Sequence, residues 1–241
     1  MTGRNKWARW LALGLSFGLS IWIGLGVSDS IPGGTVDFQV VYYAARCLAS
    51  HRDPYLLNEL KATYIEEARK LPAGDIDRPQ AVTWLIYPPT MFPLVAPFLL
   101  LGWNTARWVW TLLLIAGLFA STILILQTRP RAAPMVSLIL LCILLANSEV
   151  VIGGGNTAGL AVALGVLGIW CVIEERWVTT GVFLLALSLL LKPHDAGLVW
   201  CFLLLAGGAV RKRALQTLMV VVVLGTLSLA WVGRTAPNWS S

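Results

Sequence analysis

The chain has 241 residues, of which 57% are hydrophobic and 12% charged, and its mean hydropathy is +0.75. Soluble domains carry roughly twice that charged fraction, so the composition excludes an ordinary soluble enzyme and indicates an integral membrane protein. The net charge of +6 does not point to nucleic acid, because the basic residues lie at the edges of apolar runs, as they do in membrane proteins. Three of the four cysteines fall inside apolar runs, so neither a disulfide nor a metal site is indicated.

The chain begins with a basic stretch, followed by an apolar run that ends at residue 27. We interpret residues 7–27 as a retained first span with the N-terminus in the cytoplasm. The next segment, residues 28–86, contains eight of the twelve acidic residues. We expect it to form an extracytoplasmic loop that caps a membrane cavity.

Two helices are predicted in this loop. Over residues 37–48, apolar side chains recur at the spacing i, i+3, i+4 and i+7, which predicts an amphipathic helix lying on the membrane surface. These side chains are Phe38, Val41, Tyr42 and Ala45. A second helix is predicted over residues 58–70, before a proline-containing turn at residues 72–79.

The remaining membrane segments are predicted within residues 87–232. Tyr-Pro-Pro at residues 87–89 stiffens the chain as it re-enters the membrane, and two further prolines make residues 90–101 a short, kinked or re-entrant segment. The later apolar runs cover residues 108–126, 135–148, the run after the glycine turn up to 173, 178–191, 196–210 and 214–232. The sequence thus predicts an all-α polytopic membrane protein, a single transmembrane domain with about seven or eight membrane segments.

Sidedness follows from the basic turns. When those turns are placed in the cytoplasm, the first loop, the Gly-Gly-Gly-Asn turn at residues 153–156 and the Lys-Pro-His-Asp turn at residues 192–195 all fall on the outer face. Three polar segments are therefore expected on one side of the membrane.

Asp37 fits two roles that do not exclude each other. A carboxylate in the first turn of a helix is favoured by the helix dipole. The same carboxylate, just outside a membrane on an aromatic helix, is available as a general base.

The turn at residues 192–195 also has two interpretations. Ionisable residues at membrane depth are costly and mark functional sites, and Lys192 is a suitable point charge for a phosphate, with His194 as acid, base or donor. Alternatively, Lys192 extends to the interface while Pro193 begins a helix. The glycine turn either directs backbone amides toward an anion or serves as a flexible connection between helices.

Together these motifs resemble one family. In order, the chain has Asp-Phe-x-Val-x-Tyr-Tyr-Ala-Ala, Asp-Pro-Tyr, Tyr-Pro-Pro, a glycine turn that ends in Asn, and Lys-Pro. This order resembles the polyprenol-phosphate-mannose-dependent mannosyltransferases of glycosyltransferase family 87. The resemblance implies a GT-C-type helical bundle whose first outer loop carries the catalytic acid.

The resemblance implies an inverting hexosyl transfer in which Asp37 takes the proton of the acceptor hydroxyl. Lys192, with His194, is then expected to hold the phosphate of a polyprenyl-phosphate sugar, and the bilayer its lipid tail. The remaining candidate substrate-binding residues are Tyr42, Tyr43, Tyr55, Tyr87 and Asn156. Packing of the amphipathic helix explains its tyrosines equally well.

No cofactor, metal or nucleic acid is expected, and the acceptor is an unidentified glycan or lipid. The expected location is the plasma membrane, with several crossings and the active loop outside. Two features depart from the family pattern: Gly154 stands where members usually have glutamine, and members tend to be longer, so we expect this chain to lack their C-terminal spans. The alternatives are a lipid-carrier transporter or flippase, and an inactive truncated homologue.

Overall fold

The computed structural model describes residues 35–70, 84–127 and 148–236, together with a few positions between 14 and 26. Within these ranges the regular structure is helical and contains no strand. This confirms the predicted all-α fold.

The outer loop contains two helices, α1 over Val36–Ala49 and α2 over Leu57–Ala68. Both begin and end within two residues of the predicted bounds. Asp37 lies in the first turn of α1, where the helix dipole favours a carboxylate.

The proline-rich segment after the loop is short and irregular, as predicted. It consists of a 3₁₀ turn over Pro89–Met91, helix α3 over Phe92–Val95 and a second 3₁₀ turn over Ala96–Leu100. Its prolines lack the amide hydrogens that a continuous helix would need.

Six helices follow. They are α4 over Trp103–Gln127, α5 over Ser148–Gly154, α6 over Thr157–Ile173, α7 over Val178–Leu191, α8 over Pro193–Leu205 and α9 over Gly208–Thr235. Helix α9 begins before the basic cluster at residues 211–213, which the sequence analysis had placed in a turn ahead of the last span. Basic side chains do not interrupt a helix, so the cluster continues the helical backbone.

Helices α6 and α7 form a tightly packed hairpin. A Cβ on Gly168 would lie 2.9 Å from the carbonyl oxygen of Gly181, and one on Gly181 would lie 2.8 Å from the Cβ of Cys171. Near the other end, the Ser188 hydroxyl donates to the carbonyl of Ala161 at 2.7 Å. Small residues and an interhelical hydrogen bond are the means by which helices associate in membranes.

Helix α1 lies at the centre of the core. The Phe38 ring stacks on Trp110 at 4.4 Å and on Trp103 at 5.8 Å between centroids. The buried side chains of α1 are Phe38, Gln39, Val41, Tyr42, Tyr43, Ala44, Ala45, Cys47 and Leu48. The prediction that α1 lies on the membrane surface is therefore wrong: the helix is covered around most of its circumference by α2, the α3 segment, α4 and α5.

Among the described residues, two helices are long and apolar enough to cross a membrane, Trp103–Leu124 within α4 and Gly208–Thr235. Four shorter apolar helical segments accompany them, Pro89–Leu100, Thr157–Ile173, Val178–Leu191 and Pro193–Leu205. The predicted total of seven or eight segments thus stays a prediction. The predicted spans at residues 7–27 and 135–148, and the turn at 72–79, fall largely or wholly outside the described residues.

Candidate functional site

The glycine turn at residues 153–156 forms the platform on which α1 begins. The Gly153 carbonyl accepts a hydrogen bond from the Thr35 amide at 3.2 Å. Gly155 has a φ of +64°, and a Cβ there would lie 2.7 Å from that of Thr35, so this position requires glycine. The Gly155 carbonyl in turn accepts from the Trp110 indole at 2.9 Å.

Backbone amides of this turn are already used within it. The amide of Gly155 donates to the carbonyl of Ile152 at 3.3 Å, and that of Asn156 donates to the carbonyl of Val151 at 3.0 Å. These bonds close the end of α5. The turn therefore serves to position α1, and these two amides do not point toward an anion.

The turn also brings Asn156 to Asp37. A Cβ on Gly154 would lie 3.5 Å from the Asp37 Oδ2, so the carboxylate stands directly over the turn. The Asn156 side chain lies close enough to the Asp37 carboxylate to lower its pKa, and it caps α6 by accepting from the Ala158 amide at 2.8 Å.

Lys192 reaches the same place from the junction of α7 and α8. Its Nζ donates to the Asn156 Oδ1 at 3.3 Å and lies 3.6 Å from the Asp195 Oδ2. Only 17% of its side chain is exposed. Lys192 is thus turned inward, while Pro193 occupies the first turn of α8, which it favours.

His194 is placed differently. Its side chain is 72% exposed, and its Nε2 lies 3.5 Å from the Asp195 Oδ1. Asp195 was not singled out from the sequence, although an acid three residues after a lysine in a first helical turn is a recognisable ion-pair spacing.

The Asp-Pro-Tyr and Tyr-Pro-Pro motifs meet in space. The Tyr55 hydroxyl donates to the carbonyl of Tyr87 at 3.0 Å, and the buried Asp53 carboxylate accepts from the Tyr55 amide at 2.9 Å. Two hydroxyl groups hold the segment that follows Tyr87. Thr90 donates to the carbonyl of Leu190 at 2.8 Å, and Ser228 donates to the carbonyl of Pro89 at 2.6 Å.

A cleft of about 840 Å³ opens between these motifs and the α7–α8 junction, a size typical of small-molecule sites. Its walls are formed by Tyr55, Leu56, Trp84, Leu85, Ile86, Tyr87, Pro88, Pro89, Lys192, Pro193 and His194. Most of these are apolar, and the polar groups are contributed by Tyr55, Tyr87, Lys192 and His194. The apolar wall of the cleft was not predicted, because the residues that form it show no sequence pattern that distinguishes them from other apolar residues.

Asp37 is not part of the cleft wall. It interacts electrostatically with Lys192 and Tyr87, which both line the cleft. Burial raises the pKa of Asp37 above its ordinary value, against the Lys192 ammonium and the Asn156 side chain, which both lower it. Burial also raises the pKa of Tyr87, more than Thr157 lowers it, and the carboxylates of Asp37 and Asp195 add to the rise. A carboxylate with a raised pKa is a better proton acceptor than an ordinary one.

Tyr42 and Tyr43 lie elsewhere. At most 2% of the surface of either residue is exposed. The Tyr42 hydroxyl donates to the carbonyl of Leu101 at 2.8 Å, and the Tyr43 ring packs on Tyr64 at 4.5 Å between centroids. They belong to the core around α1, which is the packing role that the sequence left open, and neither lines the cleft.

The site therefore combines a half-buried carboxylate, an amide and an ammonium group beside a largely apolar cleft. Such a set can take a proton and neutralise a leaving phosphate. Within the described part of the chain, no three His, Cys, Asp or Glu side chains are grouped as ligands of a metal ion.

A comparison with known protein families matches the part of the chain that follows the first loop. The family model of glycosyltransferase family 87 matches residues 84–241, which include Tyr87, Asn156 and Lys192 but not Asp37. No curated protein and no solved structure matches the chain. This membership supports glycosyltransferase activity, and together with the two long apolar helices it is consistent with a membrane protein. The chain belongs to glycosyltransferase family 87.

Proposed function

We propose that the chain transfers mannose or a related hexose from a polyprenyl phosphate to an acceptor hydroxyl on the outer face of the plasma membrane. The observation that carries this proposal is the meeting of Asp37, Asn156 and Lys192, which come from three distant parts of the chain. Two of the three lie in the region matched by the family, and the third is the carboxylate that the reaction needs.

In this mechanism Asp37 accepts the proton of the acceptor hydroxyl as the oxygen attacks the anomeric carbon. The bond between that carbon and the phosphate oxygen breaks, and the polyprenyl phosphate leaves with the electron pair. One displacement inverts the anomeric configuration. The phosphate is a stable anion, so the mechanism requires no strong general acid.

The positive charge of Lys192 acts on Asp37, and His194 lies beside Lys192 in the cleft wall. We assign the donor phosphate to this end of the cleft. Tyr55 and Tyr87 line the same cavity and are candidates for contact with the sugar. The apolar wall, with Trp84 and Ile86, suits the first isoprene units of the lipid.

The GT-C architecture, a cytoplasmic N-terminus and several membrane crossings are part of the same proposal. They rest on the family resemblance and on the apolar helices, two long and four short, within the described ranges. The acceptor class is left open.

The test uses membranes that contain the chain, labelled polyprenyl-phosphate mannose and an extract of native lipids and glycans. Wild type is expected to move label from the donor into a new product. Asp37→Asn should reduce this by about 10²–10⁴-fold. Glu66→Gln, which changes an exposed carboxylate of α2, should leave it unchanged.

Absence of transfer by folded wild type would contradict the proposal. A lipid-carrier transporter would bind the donor and leave the sugar on it. Equal transfer by wild type and Asp37→Asn would remove Asp37 from the mechanism.

A further inference from the structure

One side chain links the groups of this site. The Asn156 Oδ1 accepts hydrogen bonds from the Ala158 amide at 2.8 Å and from the Lys192 Nζ at 3.3 Å. Because the oxygen is occupied by two donors, the NH₂ group is the part of the amide that can donate to the Asp37 carboxylate, which stands over the same turn.

Asn156 is itself held firmly. Its own amide donates to the carbonyl of Val151 at 3.0 Å, and its carbonyl accepts from the Gly159 amide at 3.1 Å. It begins the 17-residue helix α6 with an extended backbone, as an N-cap residue does. A side chain anchored in this way can fix the positions of its partners.

Lys192 has a competing partner. The Asp195 Oδ2, 3.6 Å from the Lys192 Nζ, is buried and makes no hydrogen bond to any described residue. Without Asn156, the ammonium would be free to close this ion pair and withdraw from Asp37. The hydrogen bond from the Lys192 Nζ to the Asn156 oxygen opposes this movement.

We propose that Asn156 is the positioning residue of the site, orienting the Asp37 carboxylate with its NH₂ group and the Lys192 ammonium with its oxygen. The inference rests on the proposed function, in which the base and the phosphate-binding cation act on one substrate. On this proposal Asn156 does not contact the substrate, as the sequence analysis had expected, but acts through Asp37 and Lys192.

The electrostatic consequence falls on Asp37. The titratable groups that interact with Asp37 are Lys192 and Tyr87. Asp195 acts on Tyr87 and pairs with Lys192, and Glu149 lies on α5, which packs against α1. The Asn156 side chain lowers the pKa of Asp37. Loss of this interaction must raise that pKa, so the base becomes protonated at a higher pH.

Two variants separate positioning from helix capping. Asn156→Asp keeps an N-cap oxygen for the Ala158 amide and for Lys192, but it places a carboxylate oxygen against Asp37 in place of the NH₂ group. Asn156→Ser keeps the cap alone, because its hydroxyl is too short to reach the other partners. Both residues are favoured N-caps, so both variants are expected to fold.

For Asn156→Asp, the acidic limb of kcat/KM for transfer should move to higher pH by about one unit or more, since a like charge raises a carboxyl pKa. For Asn156→Ser, kcat should fall about tenfold or more with a smaller shift of the limb. A purely capping role predicts wild-type rates and pH profiles in both variants, and that result would overturn the inference.

A second readout needs no donor. Infrared titration of the detergent-solubilised protein follows the Asp37 carboxyl band, assigned by its loss in Asp37→Asn. An upward shift of its midpoint in Asn156→Asp supports the inference even if wild type transfers no sugar, a result that would contradict only the proposed function. An unchanged midpoint, with Asp37-dependent transfer intact, would overturn the inference alone.

Discussion

Lys192 ends α7 and begins α8, and its ammonium points inward to Asn156 rather than outward to an interface. A lysine that only extended to the bilayer surface would be exposed and would have no fixed partner. Its 17% side-chain exposure and its contacts at 3.3 and 3.6 Å instead fit an ammonium kept available for an anion.

Lys192→Met is therefore expected to raise the KM for the polyprenyl-phosphate donor by about tenfold or more, since a charged hydrogen bond contributes ~1.5–3 kcal/mol. The acidic limb of the pH profile should also move upward, because the ammonium lowers the pKa of Asp37. Steady-state kinetics at varied donor concentration measure both effects. Lys61→Met, at an exposed position of α2, is the matched control; equal KM values in the two variants would exclude Lys192 from donor binding.

The sequence predicted Asp37 from the order of the family motifs and Lys192 from its place between two apolar runs, and their roles stay predictions. It could not separate Tyr55 from Tyr42 and Tyr43. Tyr55 lines the cleft and Tyr42 does not, because the Tyr42 hydroxyl meets the carbonyl of Leu101, 59 residues away. A contact at that separation leaves no local pattern.

At the scale of elements, the glycine turn determines where α1 begins and hence where Asp37 lies. Gly155 is constrained twice, by its left-handed backbone and by contact with Thr35. Gly208 has a similar φ of +54° but nothing near its missing Cβ. The two glycines therefore share a left-handed backbone conformation, but only Gly155 has a neighbour that a Cβ would meet.

Gly155→Ala is expected to destabilise the protein by about 2–4 kcal/mol, of which ~1–2 kcal/mol is conformational and the remainder is steric. Gly208→Ala should cost only the conformational part. Denaturation in detergent followed by circular dichroism measures the difference. Equal losses in the two variants would show that Thr35 and α1 do not press against the turn.

Helix bounds were largely predictable, since apolar periodicity, glycine and proline mark them locally. The environment of α1 was not. Its pattern at residues 37–48 predicted one buried face, but the partners that cover the rest, such as Trp103 and Trp110, come from α4. Ala44 and Cys47, which are also buried, lie outside this pattern, and isolated small residues did not mark a second buried face.

In the proposed topology of the whole molecule, the cleft and the basic cluster of α9 lie on opposite sides of a membrane. His194 is exposed at the cleft, and Lys212 is exposed near the start of α9. The positive-inside tendency assigns Lys212 to the cytoplasm. The lengths of α4 and α9 are sufficient for each to cross a bilayer.

This arrangement is tested with single cysteines introduced into a background in which all four native cysteines, including the exposed Cys201, are replaced by alanine. In intact cells a membrane-impermeant thiol reagent should label His194→Cys. It should label Lys212→Cys only after permeabilisation. Labelling of both from outside, or the reverse pattern, would contradict the proposed topology.

The proton transfer assigned to Asp37 is tested most directly with Asp37→Ala and azide. Azide needs no deprotonation, so in the space left by the carboxylate it can attack the anomeric carbon while the polyprenyl phosphate departs. The account predicts that the variant loses transfer to the natural acceptor and forms a glycosyl azide of inverted configuration, identified by mass spectrometry and NMR. Transfer to the natural acceptor within a few-fold of wild type, with no azide adduct, would contradict it.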